Sequence, residues 1–217
     1  MVERRFVTLF LVLSLFEMLV IILNLPLRWA SKPLIMISLI IYFWYSTKKV
    51  QGTRLRQIFL AALVFALLGD IFLLVESWFV FGLGSFLIMQ ALYAFCFLKS
   101  PGIERKRIWL VSITLIAVLI FMNVILWPYL GDLGGAVLVY TLAITFMTWT
   151  AFVRPSGVIR YTYVCLGAIL FLISDSIIAL NQFHPSVHIA DWSVMATYIP
   201  AQLLIVLGYQ GYLTGYE

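Results

Sequence analysis

Charge is what this sequence has least of. Only 11% of its residues are Asp, Glu, Lys or Arg, while 64% are hydrophobic and the mean hydropathy is +1.09. A soluble domain could not cover its surface with so little charge, so the composition points to an integral membrane protein. Histidine and cysteine are scarce too, at two each. His184 and His188 flank Pro185 in a loop-like stretch, with Asp191 the nearby acid. A zinc site needs three or four ligands, so no metal and no cofactor is expected. Cys96 and Cys165 fall within apolar runs and read as buried packing thiols, with no disulfide framework to infer. There is no Gly-x-Ser-x-Gly elbow, no reactive Cys–His pair and no dinucleotide fingerprint. Phe81-Gly82-Leu83-Gly84-Ser85 lacks the basic residue and strand context of a phosphate loop and reads as close helix packing. The net charge of +5 comes from short basic clusters between apolar runs rather than a patch, so no nucleic-acid partner is expected.

What the sequence does have is long apolar runs and aromatic residues, the latter at 16%, as suits many helix ends at a membrane interface. About 20 apolar residues span a bilayer as a helix. On that ruler the 217 residues form a single all-α, polytopic transmembrane domain with eight helices. They run approximately over Phe6–Leu23, Pro33–Thr47, Ile58–Val75, Trp78–Leu98, Ile108–Leu126, Leu133–Val153, Tyr161–Leu180 and Trp192–Tyr212. Breakers fall between them at Asn24-Leu25-Pro26, Ser100-Pro101-Gly102, Trp127-Pro128 and Arg154-Pro155-Ser156-Gly157. Pro33 is expected in a first helical turn, where its missing N–H is an orphan anyway. Met1-Val2-Glu3-Arg4-Arg5 and the following run carry no small-x-small cleavage site, so the run is expected to be the first transmembrane helix rather than a signal peptide. Of the 14 Lys and Arg residues, 12 fall on one side of the alternating topology and only Arg28 and Lys32 on the other. The positive-inside rule then puts both termini in the cytoplasm.

Against this background two residues stand out. Leu67-Leu68-Gly69-Asp70-Ile71-Phe72-Leu73-Leu74 and Phe171-Leu172-Ile173-Ser174-Asp175-Ser176-Ile177-Ile178 each set an aspartate, after a small residue, inside an apolar run. Asp at the centre of a membrane helix costs roughly 2.5–3.5 kcal/mol on insertion scales, and intramembrane ionisable groups mark functional sites. Each aspartate lies about five residues before the predicted outer end of its helix, roughly 7 Å below the boundary. They are expected at similar depth, facing one another in a cavity open to the outer leaflet. Close carboxylates in low dielectric share protons, giving an acid and an anion together. The structural alternative is an Asp hydrogen-bonded to a neighbouring helix or paired with Lys32. Other polar groups gather in the same outer half: Glu17, Lys32, Tyr198 and Gln202, with Gln90 near the middle of the fourth helix. Lys32 reads either as an interfacial lysine that snorkels to water or as a partner for phosphate or carboxylate. Glu17 reads as a polar contact between helices or as part of the cavity. Tyr198 and Gln202, one turn apart on one helix face, either line the cavity or bond between helices.

In this order and on these helices, the chain resembles the YhhN family, the lysoplasmalogenases. The resemblance is carried by Ser31-Lys32-Pro33-Leu34, Gly69-Asp70-Ile71-Phe72-Leu73-Leu74, Phe81-Gly82-Leu83-Gly84-Ser85-Phe86-Leu87 with Ala91-Leu92-Tyr93, Gly167 through Ser176, and Tyr198-Ile199-Pro200-Ala201-Gln202-Leu203-Leu204. It covers about residues 31 to 205. It implies an eight-helix membrane hydrolase that cleaves the vinyl ether bond of a lysoplasmalogen to a fatty aldehyde and a glycerophospho-headgroup. The partners implied are a lysophospholipid substrate and the bilayer, the inner or plasma membrane if the source is bacterial. The resemblance assigns function to Lys32, Asp70, Asp175, Tyr198 and Gln202. One departure is Gln90, where members often carry His. The chemistry fits the residues: protonation of a vinyl ether β-carbon gives an oxocarbenium ion that water captures, needing an acid, an anion and a water. Asp70 and Asp175 would supply the first two, and Lys32 would meet the headgroup phosphate. An aspartyl intramembrane protease would need Gly where Leu67 stands and Tyr where Ser174 stands. A proton-coupled transporter or lipid-binding protein is the non-enzymatic alternative.

Overall fold

The computed structural model describes residues 2–50, 52–99 and 102–215. Every regular element among them is helical. Eight α-helices follow one another: α1 (Val2–Ile22), α2 (Arg28–Ser46), α3 (Arg54–Phe72), α4 (Phe79–Leu98), α5 (Arg105–Leu126), α6 (Gly134–Phe152), α7 (Tyr161–Phe183) and α8 (Asp191–Thr214). Single 3-10 turns occupy Lys48–Val50, Glu76–Trp78, Trp127–Tyr129 and Gly131–Leu133. All the α-helices except α2 are long and apolar enough to cross a membrane. α2 is the helix with Arg28 and Lys32 in its first five residues. The chain is a multi-pass integral membrane protein.

The α4 and α6 bounds lie within one residue of those expected, while α1 and α3 each start four residues early and α5 three; three further shifts bear on the polar residues. α2 starts at Arg28, so Pro33 is its sixth residue rather than part of its first turn. The turn that precedes it is closed by Leu27, whose carbonyl accepts from the N–H groups of Ala30 and Ser31 and from the Ser31 hydroxyl. α3 stops at Phe72, three residues short of Val75, because Leu74 and Val75 turn back onto the carbonyls of Ile71 and Phe72 in 3-10 fashion. α7 continues to Phe183, three residues beyond Leu180, before His184 goes extended. Asp70 is thus two residues from the end of its helix and Asp175 eight, about 3 Å and 12 Å of helix rise. The two aspartates do not sit at matching distances from their helix ends. Ser100 and Pro101 of the expected break lie outside the described residues.

The chain divides into two compact units, one ending at Leu92 and the other beginning at Tyr93. In the N-terminal unit α2 packs on α1 and α3. Its core includes Phe10, Val20, Ile35, Leu39, Phe43 and Phe59, with the Phe43 and Phe59 rings 4.6 Å apart. α3 also meets the start of α4 at very short range. A Cβ on Gly69 would lie 2.7 Å from the Phe86 ring, and one on Gly82 2.6 Å from Leu73. The glycine before Asp70 is therefore where the neighbouring helix inserts an aromatic side chain.

In the C-terminal unit the tightest pair is α7 and α8. A Cβ on Gly167 would come within 2.8 Å of the Ala201 carbonyl oxygen, and one on Gly208 within 3.0 Å of the Val164 nitrogen. Backbone approaches this close need residues with no side chain, the small-residue packing used between membrane helices. Ser174, the small residue before Asp175, is buried and donates to the Val194 carbonyl of α8. A second cluster, Leu126, Leu130 and Val137 with Leu180 and Phe183, ties the α5–α6 connection to the end of α7. Cys96 and Cys165 are buried thiols, not joined in a disulfide. Arg154, between α6 and α7, is buried with its guanidinium 5.5 Å from the ring centres of both Phe97 and Tyr212. Burial there lowers its pKa from the usual arginine range, while the aromatic faces attract the cation.

Candidate active site

Each unit holds one of the two aspartates in an apolar stretch of its helix, and each supplies it with a donor from a neighbouring helix. In the N-terminal unit Asp70 is 2% exposed and lies 3.5 Å from the Lys32 ammonium. Lys32 is 7% exposed, so its side chain does not snorkel away from the helices but turns into them. The early start of α2 explains this. With Arg28 as the first helical residue, Arg28 and Lys32 are one turn apart on a single face, directed at the neighbouring helices.

That face meets a second acid. Glu17 of α1 has a fully buried side chain, and one carboxylate oxygen lies 3.9 Å from Arg28 Nε. Ser31 and Lys32 are also close enough to act on the Glu17 carboxylate. Arg28, Glu17, Lys32 and Asp70 thus form a string of alternating charge across α1, α2 and α3. Buried charges are tolerated in such paired arrangements. Gln90, in the same unit, is fully buried on α4.

In the C-terminal unit Asp175 accepts a hydrogen bond at Oδ2 from the Tyr140 hydroxyl of α6. Gln202 of α8 is buried and its Oε1 accepts from the Tyr93 hydroxyl at 2.9 Å. Tyr198, one turn before it, is buried with its ring 5.8 Å from that of Phe171. Gln202 therefore takes the interhelical hydrogen bond that its position allowed. His184 and His188 fall between α7 and α8, where His184 packs edge-on against Tyr129 and its Nδ1 accepts from the Ser186 N–H. Among the described residues no three His, Cys, Asp or Glu side chains gather as metal ligands.

Three partners were not among the residues singled out from sequence: Arg28, Tyr93 and Tyr140. Arg28 carried a signal, since it stands four residues before Lys32 and the two are the chain's only basic residues on their side of the topology. Tyr93 appeared only within the Ala91-Leu92-Tyr93 step of the family resemblance, and Tyr140 carried no signal, being one of 11 tyrosines in a chain rich in aromatic residues.

The model of the YhhN family matches residues 27–209, which takes in Lys32, Asp70, Asp175, Tyr198 and Gln202. The chain belongs to the YhhN family. Among curated proteins, this YhhN chain is 32% identical over 146 residues to a protein named lysoplasmalogenase TMEM86B from Sus scrofa, covering 67% of this chain and 60% of that one. It is 34% identical over 153 residues to lysoplasmalogenase TMEM86A from Homo sapiens, covering 67% and 62%. With a lysoplasmalogenase of Mycobacterium bovis it shares 29% over 164 residues, covering 72% and 61%. The matched region is thus about three fifths of the length of each of these relatives. No solved structure matches the chain.

Proposed function

We propose that this YhhN protein is a membrane lysoplasmalogenase that hydrolyses the vinyl ether bond of a lysophospholipid, releasing a fatty aldehyde and a glycerophospho-headgroup. The observation that carries this reading is the family match across residues 27–209, a stretch holding both intramembrane aspartates. Relatives named for this activity come from mammals and a mycobacterium alike.

The reaction asks little of a protein. A carboxylic acid adds its proton to the β-carbon of the vinyl ether, and the double-bond electrons form the new C–H bond. Positive charge passes to an oxocarbenium ion, which a carboxylate stabilises, as in glycoside hydrolysis. Water adds to the cationic carbon and returns a proton to the acid's conjugate base. The hemiacetal collapses to aldehyde and alcohol, so that vinyl ether plus water gives both products with nothing oxidised or reduced. Asp70 and Asp175 are the two carboxyl groups of this scheme. Lys32, held beside Asp70, carries a positive charge to the phosphate end of the substrate, and Glu17, Gln90, Tyr198 and Gln202 supply the polar lining. The strong basic bias of one set of loops supports cytoplasmic termini.

The test is aldehyde release by the purified protein in detergent from lysoplasmalogen, beside ester and saturated-ether lysolipids of the same headgroup. Aldehyde from the vinyl ether alone is expected. Absence of aldehyde from every vinyl ether lysolipid would remove the hydrolase reading.

A further inference from the structure

The partners of the two aspartates differ in kind. Asp70 is bound into an ion pair with the Lys32 ammonium. Asp175 instead accepts from Tyr140, a phenol. A phenol ionises only near pH 10 in ordinary surroundings, so it stays a neutral donor during the reaction. Hydrogen bonds to an ionised acceptor are roughly twice as strong as those between neutral groups. The Tyr140 contact therefore gains strength when Asp175 passes from acid to carboxylate. Interactions that strengthen toward the transition state raise the rate of the chemical step, whereas those equal in both states do not.

The atoms involved fix the direction. Tyr140 donates to Oδ2 of Asp175, and a carboxylic acid keeps acceptor capacity for such a bond while it carries its proton. Tyr140 itself is buried on α6, 35 residues before Asp175 on α7, so the two helices hold the contact in place. We propose that Tyr140 is a positioning residue that orients Asp175 as the acid of the reaction and stabilises the carboxylate left when the proton departs. This rests on the vinyl ether hydrolase reading. The carboxyl O–H bond of Asp175 breaks as the C–H bond forms at the vinyl β-carbon, and the proton shed by the adding water restores Asp175 to its acid form.

Tyr140→Phe removes one oxygen and keeps the ring. Wild type and this variant are compared on lysoplasmalogen with kcat and KM resolved, in H2O and D2O, and with thermal melting followed in parallel. The expected result is a fall in kcat of about 10–100-fold, the rate equivalent of one charge-assisted hydrogen bond. KM stays unchanged, and the solvent isotope effect on kcat grows as proton transfer becomes slower. Incorporating 3-fluorotyrosine in place of Tyr140 restores the hydroxyl and most of the wild-type kcat. Wild-type kcat in Tyr140→Phe overturns the proposal, as does a loss confined to KM. A fluorotyrosine protein as slow as Tyr140→Phe, with a lowered melting temperature in both, also overturns it and leaves a packing role. Failure of the wild type to release aldehyde overturns the hydrolase reading itself and is told apart because it appears before any substitution.

Discussion

In the N-terminal unit Asp70 lies against an ammonium, whereas in the C-terminal unit Asp175 lies against a phenol. The first arrangement couples charge to folding. Removing either member of a buried ion pair strands the other and typically costs about 3–5 kcal/mol. The second couples a neutral donor to a group that can gain or lose its proton, and its loss costs less in stability, about 1–3 kcal/mol. The difference separates two jobs that the sequence presents as one repeated pattern of small residue and aspartate. In the proposed mechanism Asp70 serves as the anion and Asp175 as the carboxyl group that gives up its proton.

The largest effect that would sharpen this contrast comes from Asp175→Asn. Loss of a positioned general acid is expected to lower kcat for aldehyde release by about 10²–10⁴-fold, with the melting temperature close to wild type. Next comes Lys32→Met, which leaves Asp70 buried without its ammonium. It is expected to destabilise the protein by about 3–5 kcal/mol, read as a clear drop in melting temperature in detergent. Equal stability losses in Asp175→Asn and Lys32→Met would break the comparison, because the two carboxylates would then be doing the same structural work.

A smaller effect is expected at the helix contacts beneath each aspartate. Gly167→Ala drives a methyl group toward the Ala201 carbonyl, which cannot rotate away, while Gly69→Ala meets the edge of the Phe86 ring, which can. Overpacking costs about 1–3 kcal/mol, with Gly167→Ala at the upper end and Gly69→Ala below it in thermal melts. Gly84→Ala, with nothing within 4 Å, is expected to be neutral or stabilising by up to about 1 kcal/mol through helix propensity. The smallest effect is that of Tyr93→Phe, which removes the donor to Gln202 and is expected to cost about 1 kcal/mol in the same melts.

The all-helical membrane fold was legible because apolar runs of spanning length are hard to read in any other way. α6, expected over Leu133–Val153 and found over Gly134–Phe152, shows how well breakers such as Trp127-Pro128 locate the helices. Helix ends inside polar connections were less legible. Pro33 drew the predicted start of α2 five residues too far along, because the helix begins at Arg28, where Leu27 closes its first turn, and carries the proline inside. That shift also kept Arg28 from being seen as the partner of Glu17. Asp70, Asp175 and Lys32 were visible because a charge in an apolar run has few explanations. Tyr140 was not, since its ring suits an apolar run and its partner lies on another helix with no fixed spacing between them. Gly82 and Gly84 look alike in sequence, yet only Gly82 meets a neighbouring helix, a distinction of rotational setting that composition does not carry.

The central claim is that a protein carboxylic acid protonates carbon. Hydrolysis of lysoplasmalogen in D2O, with the aldehyde trapped at once as a hydrazone, tests this directly by mass. The account predicts one deuterium at the carbon next to the aldehyde carbon in the wild-type product, formed at a rate that falls sharply in Asp175→Asn. An aldehyde without deuterium at that position, or with the same rate of incorporation in Asp175→Asn, would contradict it.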